Sequence, residues 1–325
     1  MQKMTPISWP YFMLSLLAVA LLTGCATSSQ PAAKAPGPDW VIYDAKTGTP
    51  VNWIAMSNGV LAADVILWGE QHNDVIGHHL EQRLASDLLS AHPDAAIAME
   101  MLERHEQVWI DLYLDGQIET ATLIELTNSA NWGGGKNTWS AWYQPIIDAA
   151  KKQRPHGAAV IAANAPREYA RAARLENYET LQAAINAHQP PFAVVPDESV
   201  NDQAYHDRFV GMMTGHGHGH GEAPQIDAQA FLRAQRVWDA TMANAVVTAK
   251  ESHSKVLLFI GDFHIANLGG TLQRIKHQAP SLQVATISAV AQADPEQWNP
   301  DDATRADYVI YTAKPVTPDG MTMVE

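Results

Sequence analysis

Residues 65–72 read VILWGEQH and residues 256–264 read VLLFIGDFH. Each is an apolar run that stops at a glycine, Gly69 or Gly261, and is followed by an acid, a spacer and a histidine. Short continuous runs of Val, Ile, Leu and Phe mark strands buried on both faces, as in a parallel sheet. Further runs of this kind occupy 95–101 (AAIAMEM), 158–163, 282–288 and 307–312. Between the first two, apolar residues recur at 76, 80, 84 and 88, which is helical spacing. Helical patterns also cover 105–127 and 138–153. Strands alternating with helices specify an α/β fold, a mostly parallel sheet flanked by helices.

From 164 to 249 no such strand occurs, and the pattern is helical over 166–187, 197–213 and 227–250. A smaller all-helical subdomain is therefore expected between two strands, the α/β core being 39–163 plus 250–325. The helical pattern is interrupted by TGHGHGHGEAP at 214–224. Alternating His and Gly can bind metal ions, so a metal scavenger is one reading of this loop.

Open parallel sheets bind ligands beyond the carboxyl ends of their strands. Glu70 and His72 follow one strand, Asp262 and His264 another. Glu100 ends the run IAMEMLE, and Asn164 and Arg167 follow the strand at 158–163. Separate strands thus feed one rim, and the glycines are expected to clear space there for a ligand. Glu100 lies in an apolar run, where a carboxylate needs a partner. Glu70, His72, Glu100 and His264 suit a divalent metal such as zinc, manganese or iron. They suit metal-free acid–base chemistry equally, and spacing does not separate the two.

Two other stretches carry less. NWGGGKNT at 131–138 lacks the phosphate-loop spacing and a preceding strand. Trp139, Trp142 and Tyr143, in the helix after it, read as core.

The N-terminus reads differently. YFMLSLLAVALL at 11–22 is too short to span a bilayer and ends in LTGC, which looks like a bacterial lipobox. Residues 1–24 are expected to be a lipoprotein signal peptide, and Cys25, the single cysteine, the site of lipid (palmitate) attachment. Residues 25–38 then form a flexible tether. By resemblance to such signals, Ala26 rather than Asp after the cysteine implies the outer membrane in a Gram-negative cell. The mature chain has no cysteine left for disulfides or thiolate sites, and the acidic balance, a net charge of −14 over the whole sequence, disfavours a nucleic-acid partner.

The ordered set GEQHN, AMEMLER, NAPREYAR, AQRVWDATMA and IGDFH, behind a lipobox, resembles the ChaN-like haem-binding lipoproteins of the haem-binding-uptake and Tiki group. The resemblance covers most of 39–290. It implies an outer-membrane lipoprotein that binds haem in iron acquisition, as a homodimer, with an outer-membrane haem receptor as partner. It also implies a tyrosine ligand to iron. Tyr205 is the first choice and Tyr169 the second, with His216 or His218 of the His-Gly loop replacing or joining it. The same superfamily holds erythromycin-esterase-like hydrolases and Tiki-type metalloproteases. In these, paired G-x-x-H motifs and a glutamate carry chemistry. The alternative reading is therefore a metal-dependent hydrolase built on His72, Glu100 and His264, with Glu70 as orienting group.

Overall fold

The computed structural model describes residues 38–314, apart from 128, 130, 131, 133–135, 189, 201 and 216–226. The signal segment, Cys25, His216 and His218 lie outside the described residues.

An eight-stranded sheet organises the domain, in the order β2-β1-β8-β7-β3-β6-β4-β5. The parallel strands are β3 (Val65–Glu70), β4 (Ala96–Glu103), β5 (Ala159–Asn164), β6 (Val256–Gly261), β7 (Val284–Gln292) and β8 (Tyr308–Ala313). All six residues of β3 and of β6 are buried, so continuous apolar runs here do mean strands covered on both faces. An antiparallel edge, β1 (Trp40–Asp44) and β2 (Thr49–Val51), extends the sheet beyond β8. The sequence patterns did not reveal this edge. β2 is three residues long and contains a proline, which only an edge strand tolerates.

One face of the sheet packs on α1 (Trp53–Leu61), α2 (Val75–Ala91), α3 (Gln107–Leu114) and α6 (Gln144–Gln153). The other face packs on α10 (Ala228–Lys250) and α11 (Gly270–Gln278). Asp74 caps α2 by accepting from the backbone N–H groups of Ile76 and Gly77. Two helical patterns prove to be pairs. The stretch 105–127 divides into α3 and α4 (Thr120–Leu126). The stretch 138–153 divides at Tyr143 into α5 (Lys136–Trp142) and α6, where Pro145 opens the second helix. Between β5 and β6 the described residues form α7 (Arg167–Leu175), α8 (Tyr178–Asn186), α9 (Gln203–Gly215) and α10.

The strand order decides where chemistry gathers. β6 lies between β3 and β4, so the carboxyl ends of these three strands adjoin. The chain leaves β6 on one side of β3 and returns as β7 on the other, a topological switch of the kind that opens a crevice.

Candidate functional site

The two Gly-acid-x-His motifs meet across β3 and β6. His72 Nδ1 donates to Glu70 Oε1 at 2.7 Å. The Tyr143 hydroxyl donates to the same oxygen at 2.7 Å. Partial burial opposes charge on the His72 ring. The hydrogen bond to Glu70 and the charges of Glu100 and Glu70 outweigh it and push His72 up to about 9. At neutral pH the ring is therefore a cation, half-exposed at the rim.

His264 is held in a parallel way from the other side. Its Nδ1 donates to Asp239 Oδ1 at 2.7 Å, and its Nε2 lies 3.6 Å from Glu100 Oε1. Asp239 is fully buried in α10 and also accepts from Thr271 and Tyr205. Burial alone would raise Asp239, but His264, the charge of Arg274 and the Tyr205 hydroxyl hold it below the ordinary aspartate value. Burial likewise opposes charge on His264, yet Asp239 and Glu100 raise it.

Glu100 stands between the two imidazoles. The pairing of β4 with β6 ends at Met99, and the register with β5 shifts between Met99 and Glu103. That irregularity re-aims the glutamate, as bulges beside sites do. Its Oε2 accepts the backbone N–H of Gly261.

The strand-end glycines make room for the partner motif. A Cβ on Gly69 would lie 2.6 Å from Asp262 Oδ1 and 2.9 Å from Asp262 Cα. A Cβ on Gly261 would lie 3.2 Å from His72 Nε2 and 3.4 Å from Glu100 Oε2. The missing side chains at Gly69 and Gly261 let the two motifs approach each other. Asp262 is itself structural: it accepts from Arg305 at 2.6 Å and from Ser288.

A second layer lies behind the rim. On α2, His78 Nδ1 donates to Glu81 Oε2 at 2.8 Å, and His78 Nε2 donates to the carbonyl of His72 at 3.2 Å. Glu81 is raised by burial and by the neighbouring charge of Glu70. His78, Glu81, Tyr143 and Asp239 were not singled out from sequence as site residues. Among the described residues, the His, Asp and Glu group whose ligand atoms fall within 4.8 Å of one another is Glu70, His78 and Glu81. The set Glu70, His72, Glu100 and His264 does not form such a group.

Beside Glu100 and His264 a cavity of about 510 Å³ opens toward the helices that follow β5. Asn164 joins those two residues at its floor, and Trp132, Phe209, Phe231 and Trp238 form its walls. Arg167, Arg171 and Arg174 line it from one face of α7, at four- and three-residue spacing. The volume is that of a small-molecule site. The indole N–H of Trp238 has no hydrogen-bond partner among the described residues.

Neither expected tyrosine lines this cavity. Tyr205 is 0% exposed, and its hydroxyl donates to Asp239 Oδ2 at 2.7 Å. Tyr169 is buried on the opposite face of α7 from the arginines, in a cluster with Leu181 and Ile185 of α8.

A domain of this kind, with paired His–carboxylate motifs at the strand ends and a cavity beside them, defines a class of α/β protein. The chain belongs to the haem-binding uptake, Tiki superfamily, ChaN family, whose model matches residues 56–275. Among solved structures it is similar to ChaN of Campylobacter jejuni, described for cofacial heme binding. The identity is 21% and the TM-score 0.58, over 84% of this chain and 96% of that one. It also aligns with the open form of an erythromycin esterase, EreC, at 11% identity and a TM-score of 0.42, over 84% of this chain and 83% of that one. No curated protein matches the sequence.

Proposed function

We propose that this protein is an outer-membrane lipoprotein that binds haem for iron acquisition, in the cavity between α7, α9 and α10. The observation that carries the proposal is the division of that cavity into aromatic walls and an arginine edge. A haem is a flat apolar macrocycle with two carboxylates at one edge and iron at its centre. Trp132, Phe209, Phe231 and Trp238 suit the macrocycle. Arg167, Arg171 and Arg174 suit the propionates, because guanidinium pairs with carboxylate in a fork. Arg171 is exposed and Arg174 only partly so, its guanidinium lying 4.6 Å over the ring of Phe231. His264 is the imidazole that the cavity offers to iron. The family description, haem-binding uptake, supports the same reading.

Anchoring follows from the lipobox. A lipid on Cys25 and the tether to residue 38 would hold the domain near the membrane, within reach of a haem receptor. A homodimer closing two such cavities over two haems agrees with the cofacial heme binding described for the Campylobacter jejuni protein. The test is a haem titration of the purified protein, followed by absorption and by mass in solution. A saturable Soret shift with growth from monomer to dimer is expected. Absence of saturable binding would end this proposal.

A second reading has its own observation, the convergence of His72, Glu100 and His264, each imidazole oriented by a carboxylate. That is an acid–base arrangement suited to hydrolysis of an ester or amide. With His72 raised to about 9, its role at neutral pH would be proton donation to a leaving group. Turnover of an ester or peptide panel that disappears in His72→Ala would support it. No turnover by the parent protein would dismiss it.

A further inference from the structure

We infer that Glu70, His78 and Glu81 form a buried site for one divalent transition-metal ion, of which Zn²⁺ is the probe of choice. The site lies behind the rim and is separate from the His72, Glu100 and His264 cluster, except that Glu70 serves both.

The first ground is the proximity of the donors, whose ligand atoms all fall within 4.8 Å of one another. The second is independent of it. Glu70 Oε1 is occupied by His72 and Tyr143, which leaves Oε2 as its free oxygen. Glu81 Oε2 is occupied by His78, which leaves Oε1. Neither free oxygen has a partner outside the pair, and the two carboxylates, in residues only 3% and 0% exposed, are left against each other, to be joined by a shared proton or a shared cation. Buried carboxylate oxygens are costly unless something compensates them, and unpartnered ones are few in native proteins. A cation satisfies both at once.

The third ground is the setting of His78. A metal-ligating histidine almost always donates its other ring N–H to a carbonyl or carboxylate, which sets the tautomer. His78 Nε2 donates to the backbone carbonyl of His72, so Nδ1 is the nitrogen that faces the carboxylates, and an ion bound there would displace the proton that Nδ1 shares with Glu81 Oε2. The ring is also clamped, stacked on Trp142 at 4.3 Å and 19° and edge-on to Tyr143 at 5.0 Å. Glu70 is oriented in the same manner by the Tyr143 hydroxyl. One imidazole and two carboxylates on pre-set side chains are a ligand set for zinc, manganese or ferrous iron.

The experiment uses the full chain with His216, His218 and His220 replaced by alanine, so that the His-Gly loop contributes no competing imidazoles. The protein is stripped with chelator, loaded with Zn²⁺ alone, dialysed, and assayed for metal content and affinity. One Zn²⁺ per chain is expected. His78→Ala and Glu81→Gln should each weaken binding by more than about 100-fold, beyond the 10–100-fold typical of losing an outer-shell partner. His264→Ala should leave it unchanged. Because substitution on α2 can unfold the chain, the loaded protein without α2 changes is also read by zinc X-ray absorption. One imidazole with carboxylate oxygens is expected. Two imidazoles would place the ion at the rim and overturn the assignment. So would sub-stoichiometric zinc, which would mean that Glu70 and Glu81 share only a proton. Zinc lost in His264→Ala but kept in His78→Ala would overturn it as well.

Discussion

Replacing Tyr205 with phenylalanine separates a structural hydroxyl from a haem ligand. The side chain is 0% exposed, and its hydroxyl donates to Asp239 Oδ2 at 2.7 Å. Asp239 keeps two other donors, His264 Nδ1 and Thr271 Oγ1, each at 2.7 Å. Phenylalanine preserves the ring and its contacts with Phe209, Leu232 and Phe263, so no cavity is added to the cost. What is lost is one buried hydrogen bond to a charged acceptor, worth about 1.5–3 kcal/mol. At about 2–4 °C per kcal/mol, the melting temperature should fall by roughly 3–12 °C. Haem affinity and the Soret position should stay within experimental error of the parent, because the hydroxyl is closed off from the cavity. Thermal unfolding by circular dichroism and a haem titration on the same preparation read both quantities. A variant with unchanged stability and a lost or shifted Soret band would refute the reasoning and restore Tyr205 as the iron ligand.

Three further outcomes follow from particular contacts. Gly69→Ala should destabilise the protein by about 1–3 kcal/mol in denaturant unfolding, since its Cβ would press on the Asp262 backbone at 2.9 Å. Asp202→Ala should cost about 3–5 kcal/mol, because it removes the carboxylate at 3.2 Å from the guanidinium of Arg274, itself only 2% exposed. Glu103 is pushed up to about 7 by burial and by the charges of Glu106 and Glu168, against an ordinary value of 4.5. The folded state therefore holds this proton more tightly than the unfolded chain, and stability falls as pH rises from about 4.5 through about 7. Glu103→Gln should melt higher than the parent at pH 8 and lose that advantage toward pH 5; an advantage that does not change with pH would contradict the assignment.

The sheet was legible because β3, β4, β5 and β6 are buried on both faces, and burial on both faces writes itself as an uninterrupted apolar run. The motifs at their ends were legible for the same reason, since Glu70, His72, Glu100 and His264 are the polar residues at which those runs stop. The groups that orient them were not. His78 and Glu81 lie on the buried stripe of α2, in step with Leu84 and Leu88, and a helical repeat does not announce that two of its inward positions are ionisable partners. Asp239 is similarly hidden inside α10. Tyr143 was read as core, and it is fully buried, yet its hydroxyl also fixes Glu70. Which polar group faces which across the sheet is set by strand order. That order, β3-β6-β4, joins elements far apart in the chain. The cavity was hidden for the same reason: its arginines come from α7, while Phe209 belongs to α9 and Trp238 to α10.

The most direct measurement is the haem dissociation constant of the parent protein beside that of Arg171→Glu with Arg174→Glu, at two salt concentrations. Reversing two charges at the edge of the cavity should weaken haem by at least about tenfold, or 1.4 kcal/mol, and reduce the salt dependence of binding. Equal affinity in parent and variant, with saturable binding in both, would place haem elsewhere on the protein and remove the arginine-edged cavity from its function.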